Sequence, residues 1–382
     1  MKVLLLNANL RGVGTFVRAL NFGWALTTAG HEVTLCTVSR TETRGIARDH
    51  QRGVAILEMP RLGYQWLPGW GSGPLDILGR WRLIRQNRFD VIFGFEYQPN
   101  VSWPVYLTWR RRTYRFLSDW CDWHAGGSNV YRGIKLAHRI DGWFEERIRY
   151  LAEQVTVISP LLKERALAMG LRPEHVTLIE EGVDTAYIRP LPQADMRARL
   201  GLPAGVPIVA TITDADMGRP VRILQRLHAI VPTAHLLVIG RRDPVVAQAA
   251  RELKLDTRVH ETGFVADDDL PRYLACADVC FLPLVDALVN RARWPAKAND
   301  FLAAGKATVV SPVGVFGELM KSAALGGLAW TDAEFAEALA ALWLDPDRRA
   351  DCGRQARELA VSRLDWNVLR DKIVRVVEHA VQ

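Results

Sequence analysis

The amino-acid sequence predicts an α/β protein with two doubly wound domains, and three observations carry that reading. Short apolar runs at 2–6, 31–36, 90–95, 207–212, 235–240 and 277–284 have the length and hydrophobicity of strands buried on both faces. Segments with helical spacing separate them, the alternation that builds a parallel sheet. At 382 residues the chain exceeds one ordinary core, and Pro190, Pro192, Pro203 and Pro207 bracket a linker near its middle. The expected domains are therefore 1–188 and 189–360, facing across a cleft, with an amphipathic helix over 361–382 returning to the first.

The bulk composition narrows the class. The net charge is +7, and residues 1–190 hold 25 Lys and Arg against 18 Asp and Glu, so the whole excess lies in the first half. A one-sided basic surface suits an anionic partner such as a membrane surface or a phosphate-bearing molecule; an Arg-rich proteome explains it equally well. No nucleic-acid motif accompanies it, so nucleic acid is not expected as a partner. The five cysteines, Cys36, Cys121, Cys276, Cys280 and Cys352, show no disulfide or zinc spacing and read as buried free thiols of a reducing compartment. The opening run MKVLLL is too short for a signal peptide, and no apolar run approaches the ~20 residues that span a bilayer. The expected place is the cytoplasm, at most peripheral to a membrane.

In chain order, the strand at 2–6 leads through a loop with Gly12 and Gly14 into a helix carrying Phe16, Ala19, Leu20, Trp24 and Leu26, then the strand at 31–36. Glycines let a backbone approach a ligand at a helix N-terminus, but Gly-x-Gly alone is a weak signal and equally fits a tight turn. Residues 60–74 read as a long loop, and 90–95 as a strand with Glu96 at its carboxyl edge, placed either to touch a ligand or to cap the next helix. After a strand at 114–117, the loop at 118–127 holds Asp119, Asp122 and His124, groups suited to hydrogen-bonding hydroxyls or handling protons. His124 reads equally well as a plain loop histidine. Around it lie Trp103, Trp109, Trp120, Trp123, Arg110, Arg111, Arg112 and Arg115, the densest mixture of indole and cation in the chain. Such a mixture suits a membrane interface or a sugar face; the bland reading makes several of the indoles core. In the second half, Arg219 begins a helix after the strand at 207–212, either to meet an anion or as a surface arginine. The pair Asp214-x-Asp216 has nothing around it to support a metal.

The stretch from 277 to 318 is the most informative. A buried strand is followed by Pro295, a helix carrying Phe301 and Leu302 and ending at Gly305, a second strand with Val309 and Val310, and Gly314 and Gly317 opening another helix. Lys297, Asn299 and Asp300 thus lie in the first turns of a helix that follows a strand. In open α/β sheets ligands bind at that edge, where helix N-termini and Lys297 favour phosphate and Asp300 suits sugar or ribose hydroxyls.

This segment, together with HVTLIEEGVDTAYIRP at 175–190, resembles the B-fold retaining glycosyltransferases of family 4 and group 1, and the resemblance runs through the chain in order. It implies two Rossmann-like domains and transfer of a sugar, with retention, from a UDP- or GDP-linked donor to an acceptor hydroxyl. No metal or other cofactor is implied, and the acceptor would be a glycan, a glycolipid or a small molecule. The resemblance places Gly12 and Gly14 beside donor phosphates and acceptor, Asp119 and His124 at the acceptor as the catalytic candidates, and Arg219, Arg293, Lys297, Asn299 and Asp300 at the donor. The sequence departs from the family in five places, the first being Ser118 and Asp119 where a histidine usually stands. Glu181 replaces the usual Asn before GVD, the Gly-Arg and Lys of the pyrophosphate grip are missing near Arg219, Asp300 replaces a glutamate, and Ala292 stands where another glutamate belongs. Arg291, Arg293 and Lys297 are candidates to replace the missing grip. A nucleotide-sugar epimerase of the same fold and a non-catalytic nucleotide- or glycan-binding protein are the alternatives.

Overall fold

The computed structural model describes residues 1–41, 44–61, 73–124, 135–212, 216–265 and 269–382, without the side chains of 135–138, 140 and 141. Most of the loop expected at 60–74, and Asp214 of the acidic pair, lie outside the described residues. The chain divides into two compact units: Met1–Glu181 with Ala287–Trp294 and Trp366–Gln382, and Gly182–Asp286 with Pro295–Asp365.

The first unit runs β1 (Lys2–Leu10), α1 (Phe16–Thr28), β2 (Glu32–Val38), β3 (Ala47–Gln51), β4 (Val54–Met59), α2 (Pro74–Gln86), β5 (Val91–Phe95), α3 (Pro99–Thr108), β6 (Arg115–Trp120), α4 (Lys135–Arg147), β7 (Gln154–Val157), α5 (Pro160–Ala168) and β8 (Val176–Leu178). Among the described residues its sheet has the order β3-β4-β2-β1-β5-β6-β7-β8. It is parallel except where β3 pairs antiparallel with β4. That hairpin has no counterpart in the sequence reading, because β3 (ARDHQ) is exposed throughout and carries no apolar alternation.

Side-chain alternation sends Val3 and Leu5 of β1 to one face and Leu4 and Leu6 to the other, so both faces must be covered. Phe22 of α1 meets Phe93, Phe95 and Trp366 edge-on, with ring centroids 5.7, 5.3 and 6.2 Å apart. Such pairs add roughly 0.5–1.5 kcal/mol each beyond their area. Trp366 begins α15 (Trp366–His379), and its Leu369, Ile373 and Val377 extend the same core. Ile84 of α2 and Val101 and Val105 of α3 fill the opposite face against Leu4, Leu6, Ile92 and Phe116.

The second unit runs α6 (Gln193–Leu200), β9 (Ile208–Ile212), α7 (Arg219–His228), β10 (His235–Ile239), α8 (Pro244–Glu252), β11 (Val259–Glu261), α9 (Leu270–Cys276), β12 (Val279–Leu282), α11 (Ala296–Ala303), β13 (Ala307–Val310), α12 (Gly314–Ser322), β14 (Gly326–Leu328), α13 (Asp332–Leu344) and α14 (Pro346–Leu359). The short α10 (Leu288–Ala292), between β12 and α11, groups with the first unit. The described sheet has the order β11-β10-β9-β12-β13-β14 and every pairing is parallel. Val221 and Leu224 of α7 and Phe335 and Leu339 of α13 share one core with Val209, Leu236, Phe281 and Val309.

The 182–185 run acts as a structural crossover. Val183 N–H donates to Leu364 O at 2.8 Å, Thr185 N–H to Asp365 Oδ2 at 3.1 Å, and Asp184 Oδ1 accepts from Tyr187 N–H at 3.0 Å. All five cysteines are free and buried. No helix among the described residues is long and apolar enough to cross a membrane.

Candidate functional site

In the first unit the candidate groups gather at the carboxyl edge of β1, β5 and β6. Gly12 and Gly14 lie between β1 and α1 with φ of +73° and +57°. A Cβ at Gly12 would meet Arg40 Nη2 at 2.2 Å, and one at Gly14 would meet Asn9 Nδ2 at 2.7 Å. Both contacts are with the ends of flexible side chains, so it is the left-handed backbone that calls for glycine there.

Asp119 has to be moved from the acceptor-facing role the sequence suggested. β6 runs on to Trp120 instead of ending at 117, so Ser118 and Asp119 lie inside the strand. Asp119 is fully buried, and Arg18 of α1 clamps it through Nε at 2.9 Å and Nη2 at 3.1 Å. Thr156 Oγ1 donates to the same carboxylate at 2.5 Å and Cys121 Sγ at 2.8 Å. Each Asp119 oxygen already accepts two of these bonds, which leaves no place for a substrate hydroxyl; the carboxylate holds Arg18 and ties β6 to α1 and β7. Arg18 also donates to the backbone oxygens of Ile179 and Glu180 and reaches Glu181 Oε2 at 3.4 Å. Burial pushes the Glu181 carboxyl up to about 7, more than Arg18 pulls it down. The Asn-to-Glu departure therefore adds a second acid to a buried cluster.

The group facing the edge is Glu96, the first residue after β5. Its φ is +71°, a conformation rare outside glycine that concentrates at functional sites. The side chain is 98% buried, at 2% relative exposure. Oε1 accepts from Cys121 N–H at 3.0 Å and Asp122 N–H at 3.3 Å, while Oε2 has no hydrogen-bond partner. His124, placed at the acceptor edge by the sequence, does lie here, half-buried, with Nε2 at 3.8 Å from Glu96 Oε2. Burial raises the Glu96 carboxyl to about 8, Asp122 adds to that, and Arg149 partly opposes it. Ligand atoms of Glu96, Asp122 and His124 all lie within 4.8 Å of one another, close enough for a metal. Against a cation stands the guanidinium of Arg149, whose Nη2 is 3.9 Å from the same Glu96 oxygen.

In the second unit, Arg219 also requires correction. At the start of α7 its Nε donates to Asp332 Oδ1 at 2.8 Å, Nη2 donates to Trp330 O, and the guanidinium lies 5.3 Å from the Phe335 ring centre. It ties α7 to the start of α13, which accounts for its donors better than a pyrophosphate does. Arg293 directly follows α10 and, with Arg291, falls in the first unit rather than the donor unit where the sequence reading put it. The reason is packing: Ala292 is fully buried and α10 packs against α5.

Lys297, Asn299 and Asp300 lie on α11 as expected, with Asn299 fully buried and the other two half-buried. The helix ends in a Schellman pair, Lys306 N–H to Phe301 O at 3.0 Å and Gly305 N–H to Leu302 O at 2.9 Å, with Gly305 at φ +68°. α11 and α12 follow the adjacent parallel strands β12 and β13, so both helices return from the same edge of the sheet. α12 has no side-chain cap, and the first-turn N–H groups of a helix suit an anion. Ser311, fully buried just after β13, adds a hydroxyl with no hydrogen-bond partner. The sequence reading passed over Ser311 and Arg149; the position after a strand could have marked the first, whereas Arg149 follows a helix and carried no signal.

Two doubly wound units in succession, the second with helix N-termini beside a lysine and an acid, are the architecture of B-fold glycosyltransferases. A family model described as Glycosyltransferase Family 4 matches residues 12–187, and one described as Glycosyl transferases group 1 matches residues 219–345. The chain belongs to this family 4/group 1 line of glycosyltransferases. It is 24% identical over 261 residues to alpha-maltose-1-phosphate synthase of Mycolicibacterium smegmatis, a match spanning 63% of this chain and 66% of that protein. Its fold matches sucrose-phosphate synthase from Thermosynechococcus elongatus at a TM-score of 0.76, with 19% identity over 99% of this chain and 98% of the other. Anabaena HepE in complex with UDP and glucose matches at 0.75, with 17% identity over 99% and 100% of the two chains.

Proposed function

We propose that the protein transfers a sugar from a nucleotide-diphosphate donor to an acceptor hydroxyl, with retention of configuration and without a metal. The observation that carries this is the second unit's carboxyl edge, where Lys297 and Asp300 sit near the start of α11 and the uncapped α12 begins beside it. Helix N-termini and a lysine neutralise the charge that develops on a departing diphosphate, and Asp300 accepts from ribose hydroxyls. The named ligands of HepE make a uridine nucleotide the first donor to try. Lys297→Ala is expected to lower turnover of UDP-glucose roughly 10²–10³-fold with the fold intact, read by release of UDP. A variant that keeps wild-type turnover, or a wild-type reaction abolished by a chelator, defeats the scheme. Release of an epimerised nucleotide sugar without an acceptor identifies an epimerase instead, and UDP binding with no product identifies a binder.

The acceptor we favour is a glycan or glycolipid presented at an anionic membrane. Trp103 and Leu107, one turn apart on α3, are exposed at 42% and 63%, and Arg110 and Arg111 are exposed just beyond them. The other members of the cluster do different work. Trp120 is fully buried, and Arg112 stacks 3.5 Å from the Trp109 ring centre and pairs with Glu153 at 2.9 Å. Flotation with anionic vesicles at low salt, lost at high salt and in Arg110→Ser/Arg111→Ser, is the expected result. Equal flotation with neutral vesicles removes the role given to the arginines, and no flotation under any condition points to a soluble acceptor.

A further inference from the structure

The first unit contains a gap in its hydrogen bonding that the donor chemistry does not use. Glu96 Oε2, Arg149 Nε and Arg149 Nη2 are all buried without a partner. Buried polar atoms in a folded protein are nearly always satisfied, so three together call for a missing group. Both side chains are held firmly. Glu96 N–H donates to Asp119 O at 3.2 Å and its Oε1 takes two backbone N–H groups from the turn after β6. Arg149 is fully buried; it donates through Nη1 to Ser118 Oγ and to Asp119 O, the latter at 2.9 Å, and stacks over Trp120 with 5.2 Å to the ring centre. Neither side chain closes the gap by a small rotation without giving up those bonds. The separations of 3.9 Å between Nη2 and Oε2, and 3.8 Å between His124 Nε2 and Oε2, are too long for direct hydrogen bonds. They suit one oxygen atom bridging the groups.

The charges select the kind of oxygen. A metal ion would stand beside the Arg149 guanidinium. An anion would stand beside Glu96 and Asp122, whose ligand atoms share the same small space. A hydroxyl suffers neither repulsion: it accepts from Arg149 and donates to the carboxylate, and where Glu96 holds its proton it accepts from that group too. We propose that Glu96, Arg149 and His124 form a subsite for one hydroxyl of a sugar acceptor, an assignment that rests on the glycosyl-transfer reading above. Glu96 and Arg149 are then acceptor-binding residues, and the strained backbone at Glu96 is the cost of aiming its carboxyl out of the β5 edge.

The probes are D-glucose, maltose and glycerol, with binding read by ligand-observed NMR on the full chain without donor. At about pH 9, where the Glu96 carboxyl is ionised, Glu96→Gln keeps an oxygen for the two backbone N–H groups and places an NH2 where the bridging hydroxyl would donate. It is expected to weaken sugar binding by roughly 10-fold or more, and His124→Ala by less. Thermal melts that match the wild type establish that the variants fold. In a crystal soaked with maltose, a sugar oxygen should lie within hydrogen-bond distance of both Oε2 and Nη2. Unchanged sugar affinity in Glu96→Gln, no binding of any probe to the wild type, a lone water in the gap with the sugar elsewhere, or Mn²⁺ or Zn²⁺ binding that Glu96→Gln removes would each overturn the subsite. UDP binding to the wild type is measured in parallel. Its absence defeats the glycosyl-transfer reading and leaves the result at Glu96 to stand or fall by itself.

Discussion

In the first unit the buried ionisable groups collect toward the carboxyl edge of the sheet: Glu96 after β5, Asp119 near the end of β6, Glu181 after β8, and Arg18 and Arg149 between them. In the second, Arg219 stands at the start of α7, but Arg197, Asp278 and Lys306 collect at the opposite edge. Asp278 precedes β12, Lys306 precedes β13, and Arg197 pairs with Asp278 at 2.7 Å while bonding the backbone oxygens of Cys276 and Val206. Lys306 is likewise spent on Ala275 O and Ala277 O. The second unit thus uses Arg197, Asp278 and Lys306 to pin loops away from the ligand edge, and sets α11, helix N-termini, a hydroxyl and the Arg219–Asp332 pair at that edge. The first unit spends buried charge on the ligand edge itself, where acids crowd one another and one carboxyl oxygen, Glu96 Oε2, has no hydrogen bond. The two edges should therefore respond differently to pH and to mutation.

The largest effect should come from breaking the central pair of each unit. Arg18→Met leaves Asp119 and Glu181 buried without their guanidinium and is expected to cost about 3–5 kcal/mol, read by urea unfolding at pH 7. Arg197→Met should cost a similar amount through Asp278, but it should leave sugar binding in the first unit unchanged, whereas Arg18→Met should weaken it. Equal loss of sugar binding in the two variants would remove the distinction between the edges.

A smaller effect, and a sharper one, lies in pH. Glu96 and Glu181 are acids whose folded pKa values, about 8 and about 7, lie above the ordinary value of 4.5. The folded protein therefore holds these protons more tightly than the unfolded chain. The penalty of burying the charged form is absent below about pH 4.5, grows as pH rises, and is complete above the folded values. Between those limits each group can tilt stability downward by up to about 1.4 kcal/mol per pH unit. Glu96→Gln and Glu181→Gln should each flatten the fall in stability between pH 5 and 8 and raise the melting temperature at the alkaline end. Wild-type stability that rises over this range would contradict the burial argument.

The smallest expected change tests the start of α13, which follows β14, the outermost strand of the described second sheet. Thr331 caps α13 by accepting from Glu334 N–H at 3.1 Å, and the Glu334 side chain accepts from Thr331 N–H at 2.9 Å. Thr331→Ala should cost about 1 kcal/mol with no change in UDP or sugar binding. A loss of UDP affinity would extend the donor edge farther than the geometry supports.

What the sequence by itself determined is local or periodic. The apolar runs located most of the parallel strands, and Ser159-Pro160 located the start of α5, where Ser159 Oγ accepts from Leu162 N–H at 3.3 Å. Gly305 located the end of α11, and Gly12 and Gly14 the tight loop after β1, because a left-handed φ favours glycine wherever it falls. Only the tertiary structure decided which acid faces a ligand. Asp119 and Glu96 each stand near the carboxyl end of an adjacent strand, and composition does not distinguish them. The choice was made by Arg18, 101 residues away in sequence, which claims Asp119, and by Arg149, which approaches Glu96 without reaching it. A strand that runs three residues past its apolar run put Asp119 inside the sheet, and a helix one turn long drew Arg291 and Arg293 out of the donor unit. Periodicity reports the element a residue belongs to. Its charge partner comes from wherever the chain returns, and that is set by packing.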